Sequence, residues 1–188
     1  MAGTAPGIAD LLRNHAFTVR VPVKDDVPRL IRLVNGLAAE AELLFVVPID
    51  AENGGASVDA YLETVAKSDN QAIFVAEPRA KAGRPAEFAG LATASGGVHS
   101  AKRGVVEIGI GVRAGHQRTG IGQALMRAVE SWARGAAIHR LQLPVVTTNA
   151  PAIALYRAAG FAVEGVLRQS VVVAGQPVDQ YMMAKLLV

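Results

Sequence analysis

The chain has 188 residues, the length of one domain, and its composition (51% hydrophobic, 19% charged) excludes intrinsic disorder. It contains no cysteine, which excludes disulfides, thiolate nucleophiles and Cys-ligated metal centres and points to a reducing, cytoplasmic setting. The net charge of +3 is spread along the chain, leaving no footprint for a nucleic-acid backbone, and no apolar run approaches the ~18 residues of a membrane span.

Residues 1–16 are small and mixed, without a period, and read as a tail ahead of a single domain over 17–188. Phe17, Val19, Val21 and Val23 alternate with Thr18, Arg20 and Pro22, the period of a half-buried strand. Asp25 is placed to cap a helix in which Val27, Leu30, Ile31, Val34 and Leu37 recur every three or four residues. Leu43–Ile49 is apolar but runs into Pro48 and the Asn53-Gly54-Gly55 turn, so it reads as a loop. Ser57 is placed to cap a second helix carrying Tyr61, Leu62 and Val65.

Gln71–Glu77 and Phe88–Ala94 are β-type runs, joined through polar Pro78–Pro85 as an antiparallel hairpin. Val105–Val112 is a third strand. Over Gly120–Arg134, Ile121, Leu125, Val129 and Trp132 share one helical face, opposite Gln123, Arg127, Glu130 and Arg134. A strand at Leu141–Val146 and a short helix at Pro151–Ala159, closed by Gly160, follow. Strands at Phe161–Leu167 and Val178–Leu187 complete an α/β domain with a mixed sheet.

The stretch Val112–Gly122, VRAGHQRTGIG, carries the chemistry. A strand ends, a loop of small and polar residues follows, and a helix opens whose free N–H groups and dipole favour an anion. Glycines at 120 and 122 admit either a phosphate close to the backbone or close packing of helix on strand, and Arg118 adds charge. Neither the dinucleotide fingerprint nor the P-loop pattern is present. On the 105–112 strand, Ile108, Ile110 and Val112 share one face and Glu107, Gly109 and Gly111 the other. Two glycines beside a carboxylate leave an open groove. Glu107 is therefore a candidate general base, against the alternative of a surface ion pair. His15, His99, His116 and His139 lack ligand spacing, so no metal is expected.

Gln117-x-x-Gly120-x-Gly122 after a strand resembles the acyl-CoA motif of the GCN5-related N-acetyltransferase (GNAT) superfamily. Asn149, Tyr156 and Gly160-Phe161 resemble its N…A…LY…GF segment, and Glu164–Arg168 resembles a subgroup acting on small amines and amino acids. The resemblance covers about residues 17–188. It implies a mostly antiparallel twisted sheet with a central splayed parallel strand pair and flanking helices. It implies acetyl-CoA as co-substrate, its pyrophosphate on the N–H groups of Gln117, Arg118, Thr119, Gly120, Ile121 and Gly122. The pantetheine would lie against the Ile110 and Val112 backbone, with Asn149 and Tyr156 also at the cofactor. Tyr156 would protonate the departing thiolate, and Glu107 would deprotonate the amine directly or through water. Pro144 lacks an N–H, which is costly in a central ladder but tolerable where the strands splay.

The implied reaction is direct acetyl transfer to a primary amine of a small molecule, an amino acid or related amine. A protein N-terminal or Lys acetyltransferase and a non-catalytic acyl-CoA-binding module are the alternatives. Leu43–Gly55, residues 96–104 and the final strands are expected to wall the acceptor pocket. The apolar strand Val178–Leu187 is placed to pair across a homodimer.

Overall fold

The computed structural model describes residues 16–40, 43, 47–50, 52–79 and 86–187. All but the last residue of the expected tail, residues 44–46 of the Leu43–Ile49 loop and residues 80–85 of the Pro78–Pro85 loop lie outside the described residues. Seven strands build one sheet: β1 (Phe17–Arg20), β2 (Gln71–Pro78), β3 (Gly90–Gly96), β4 (Val105–Val112), β5 (Arg140–Val146), β6 (Ala162–Val173) and β7 (Gln176–Leu186). The helices are α1 (Val27–Glu40), α2 (Gly55–Lys67), α3 (Ile121–Gly135) and α4 (Ala150–Ala158).

The strand order is β1-β2-β3-β4-β5-β7-β6, antiparallel throughout except for β4 and β5. Those two are parallel because α3 carries the chain back across the sheet between them. One face packs on α3, where Ile121, Leu125, Met126 and Val129 meet Ala92, Ala94, Val106 and Ile108. Leu125 is fully buried there, so its truncation to alanine should cost about 2–5 kcal/mol. The opposite face packs on α1 and α2 through Leu30, Leu33, Leu37, Leu62 and Val65 against Ile73, Val75 and Phe88. Helices on both faces explain why Ala72–Ala76 of β2 is a continuous apolar run and not an alternating one. No helix among the described residues is long and apolar enough to cross a membrane.

Five local expectations are corrected. The first strand ends at Arg20, and Val21 and Val23 are exposed, because Pro22 lacks a ladder donor and the chain turns at Lys24. A single turn of 3-10 helix, Lys24–Asp26, precedes α1, and Asp26, not Asp25, accepts the Val23 N–H (2.9 Å). Asp26 wins because it is buried between two guanidiniums: Arg20 (2.6 Å) and Arg29 (3.0 Å), both of which also reach Glu77. Helix α2 opens at Gly55 behind Gly54, without a side-chain cap, so Ser57 lies inside its first turn. The closing strand β7 is paired on both sides, by β5 and β6, and has no edge to offer a second copy; among the described residues the edge strands are β1 and β6. Strand β6 runs beyond Leu167 to Val173 because a register shift between Leu167 and Val171, with Gln169 at φ 47°, breaks the alternation that marks a strand in sequence.

Candidate active site

Parallel pairing of β4 and β5 spans only Val105–Glu107 against Arg140–Gln142. Arg113 N–H donates to Ala89 C=O (2.9 Å), so odd residues of β4 turn their amides to β3 and even ones turn theirs to β5. On β5, Thr147 N–H donates to Asp179 C=O (3.0 Å) and Arg140 N–H to Gly104 C=O (3.2 Å), so even amides face β4. The next rung past Gln142 would run from the amide of residue 144 to Ile108 C=O, and residue 144 is proline. The ladder stops there. The β3–β4 register is unbroken from Gly90↔Val112 to Gly96↔Val106, so no bulge in β4 opens the gap. Gln117 Nε2 donates to Val112 C=O (3.2 Å), while the Val112 N–H and both backbone groups of Ile110 face the gap, where the family resemblance implies a pantetheine arm.

At the mouth of the gap the loop winds through a 3-10 turn, Ala114–His116, and Thr119 Oγ1 donates to His116 C=O (2.7 Å). Arg118 (φ 61°) and Gly120 (φ 89°) are both left-handed, the second at the N-cap of α3. Ala124 N–H donates to Gly120 C=O (3.0 Å), so the amides of Ile121, Gly122 and Gln123 start the helix without an intrahelical acceptor. The two glycines differ. A Cβ on Gly120 would meet nothing within 4 Å, whereas one on Gly122 would lie 3.2 Å from Leu155 Cδ2. Gly120 thus serves backbone conformation and open space, and Gly122 serves the close approach of α4 to α3, its amide remaining at the helix start.

Sequence reasoning missed how this loop is anchored. Glu40, the last residue of α1, accepts from Ala114 N–H (2.8 Å) and Arg113 Nε (2.7 Å). The Arg113 guanidinium holds the Glu40 carboxyl below its ordinary range. A Cβ on Gly36 would lie 2.5 Å from that guanidinium, so glycine makes room for it. Gly36 and Glu40 stand one helical turn apart on one face, but their partner is more than seventy residues away in sequence, beyond any local signal.

The remaining predicted residues divide between the two faces of the sheet. Tyr156 is buried in the core on the α3 side, its ring 5.9 Å from Phe161. Its hydroxyl makes no hydrogen bond among the described residues, and burial pushes the phenol up to about 12. Asn149 caps α4, its side chain accepting the Ala152 N–H (3.2 Å). Glu107 is exposed on the opposite face, in register with Ser95 and Gln142, and joins no ion pair among the described residues. The gap between β4 and β5 is where the two faces communicate. On the Glu107 face, α1, α2 and β2–β3 border a half-open cavity of about 340 Å³, lined by Leu30, Val34, Ile49, Val58, Leu62 and Thr93 among others. Ile49 belongs to the expected Leu43–Gly55 wall, but residues 96–104 and the final strands do not reach this cavity. Among the described residues no cluster of three or more His, Asp or Glu could hold a metal.

A sheet parted between parallel strands, with an amide-lined loop at the mouth, offers a place for an extended, anionic ligand. The model described as the acetyltransferase (GNAT) family matches residues 43–161, and the chain belongs to that family. It is 35% identical over 85 residues to the L-amino acid N-acetyltransferase AaaT of Escherichia coli (strain K12), covering 43% of this chain and 51% of that protein. The chain thus spans about half the length of the curated relative it matches. Among solved structures it resembles a GNAT-family acetyltransferase from Streptococcus pneumoniae (TM-score 0.81, 24% identity, 92% of this chain and 99% of that one). It also resembles a phosphinothricin acetyltransferase from Sinorhizobium meliloti in complex with AcCoA (TM-score 0.76, 21% identity, 91% and 88%). The fold implied by the motifs is the fold observed.

Proposed function

We propose that the protein is a cytoplasmic enzyme that moves acetyl from acetyl-CoA to the primary amine of a small molecule, an amino acid or related amine, by direct attack. The observation that carries this reading is the free backbone edge at Ile110 and Val112, running from the Gly120 loop to a gap with Glu107 on one face and Tyr156 on the other. The residues fit the donor: the gap accepts an extended arm with backbone partners, and the helix start accepts a pyrophosphate. That the Escherichia coli relative is an L-amino acid N-acetyltransferase supports the acceptor class.

The acceptor arrives as an ammonium and gives one proton to Glu107, directly or through water. The neutral nitrogen attacks the thioester carbonyl carbon; the C–N bond forms and the C–S bond breaks. Tyr156, protonated at neutral pH, gives its proton to the leaving sulfur, and the proton shed by the new amide nitrogen replaces it. With no cysteine in the chain, no thiol acyl-enzyme intervenes. Incubation with acetyl-CoA and a panel of amino acids, polyamines and peptides, following free thiol, tests the reading. Acceptor-dependent release is expected; acetyl-CoA binding with no release for any amine would leave a binding module.

A further inference from the structure

We infer that the acceptor amine carries an uncharged, branched or aromatic side chain, seated in the cavity between α1, α2 and β2–β3. The inference rests on the acetyltransferase reading and adds the substrate class. Continuity with the reacting face is the first argument. Thr93, on the cavity wall, pairs with Gly109, and a Cβ on Gly109 would lie 3.1 Å from Thr93 Oγ1. The Thr93 hydroxyl therefore stands beside the glycine that follows Glu107 on this face, about one strand spacing (~4.8 Å) from β4. A side chain inserted past Thr93 leaves its amino group over the glycine groove, next to Glu107.

Chemistry is the second argument. Leu30, Val34, Ile49, Val58, Leu62, Ile73 and Leu91 supply almost the whole lining, and its polar atoms are the neutral hydroxyls of Ser57, Tyr61 and Thr93. Among the described residues no charged side chain lines it. A charged acceptor side chain would lose its hydration there without a partner. The volume, about 340 Å³, is at the small end for ligand sites and suits one amino-acid-sized group.

The wild-type protein is tested by thiol release from acetyl-CoA with L-leucine, L-phenylalanine, glycine, L-aspartate, L-lysine and spermidine. Leucine or phenylalanine should exceed glycine in kcat/KM by about tenfold or more, since even one well-fitted methylene discriminates by that factor. Aspartate, lysine and spermidine should not exceed glycine. Val58→Glu, on the half-buried face of α2, should lower kcat/KM for leucine at least about tenfold while the KM for acetyl-CoA is unchanged. Val34→Phe, which fills the cavity from α1, should shift preference toward smaller acceptors and decides the question if Val58→Glu does not fold. Preference for charged acceptors, or an unchanged acceptor profile in folded variants, overturns the side-chain assignment while acetyl transfer stands. Thiol release no faster with any of these amines than without one overturns both.

Discussion

Glu107 stands on a strand whose next two residues on the same face are glycines, so toward the gap none of β4's own side chains shields its carboxylate. Glu107→Gln keeps the shape and removes the basicity. It should cut kcat/KM by about 10²-fold or more at pH 7 while acetyl-CoA binding persists. The loss should shrink as pH rises, because free amine then arrives from solution; a Gln variant of near-normal activity at pH 7 would return Glu107 to the role of a surface strand residue. Tyr156 has the complementary environment. Burial raises its pKa to about 12, so the protonated form persists well beyond neutral pH, as a proton donor requires. Tyr156→Phe should lower kcat by about 10²-fold or more with the KM for acetyl-CoA kept. Its thermal stability should barely change, since the hydroxyl has no internal partner among the described residues; an unchanged kcat where chemistry limits the rate assigns the residue to packing.

At the scale of elements, one proline decides where two strands part. The β3–β4 ladder is regular to its end, and what stops β4 from zipping onto β5 is the missing donor at position 144. Pro144→Val restores that donor. The variant should form the extra rung to Ile108, seen as a new slowly exchanging amide, and gain up to about 1 kcal/mol from it. Narrowing the gap should raise the KM for acetyl-CoA about tenfold or more, through lost access to the Ile110 and Val112 backbone. Should the rung form and that KM stay the same, the donor does not use this edge. The mouth of the gap is held by other means: the Glu40 carboxylate ties the loop start to α1, and Gly122 lets α4 close onto α3.

Across the whole molecule, a part-buried charge cluster joins the consecutive elements β1 and α1 to β2, about fifty residues further on. Arg20 of β1, Asp26 before α1, Arg29 of α1 and Glu77 of β2 share hydrogen-bonded pairs, and Phe88 lies against both guanidiniums (3.9 Å to Arg29, 5.3 Å to Arg20). Removing one partner strands the others, so Asp26→Asn should destabilise by about 3 kcal/mol. Burial acts to raise the pKa of Asp26, but hydrogen bonds from Arg20 and the Val23 amide outweigh it and hold the carboxyl below its ordinary range. Glu77 is likewise pushed up by burial and held down, on balance, by Arg20 and Arg29. Both carboxyls bind a proton less readily folded than unfolded. Their contribution is therefore present above the unfolded value of about 4 and lost as pH falls below it. Denaturant midpoints followed downward from neutral pH should drop steeply in the acid range, and less so in Asp26→Asn. Equal acid sensitivity in the two proteins would place the titrating groups elsewhere.

What the sequence by itself determined is what local chemistry can encode. The amphipathic period of α3, the Asn149 cap and the glycine loop each depend on neighbours within a few residues, and each lies where its pattern puts it, while the alternation of the first strand holds only as far as Arg20. The spacing of Gln117, Gly120 and Gly122 after a strand was enough to point to the family. Tertiary structure alone decided which of two aspartates is buried, because the guanidiniums that select Asp26 arrive from β1 and α1 together. It decided that Gly122 faces Leu155 while Gly120 faces open space, and that β7 lies inside the sheet, not at its edge. It also brought α1, α2, β2 and β3 around one apolar cavity, and brought Pro144 opposite Ile108 so that a missing N–H became a gap. Register and packing join residues tens of positions apart, and no periodicity within one segment carries that information.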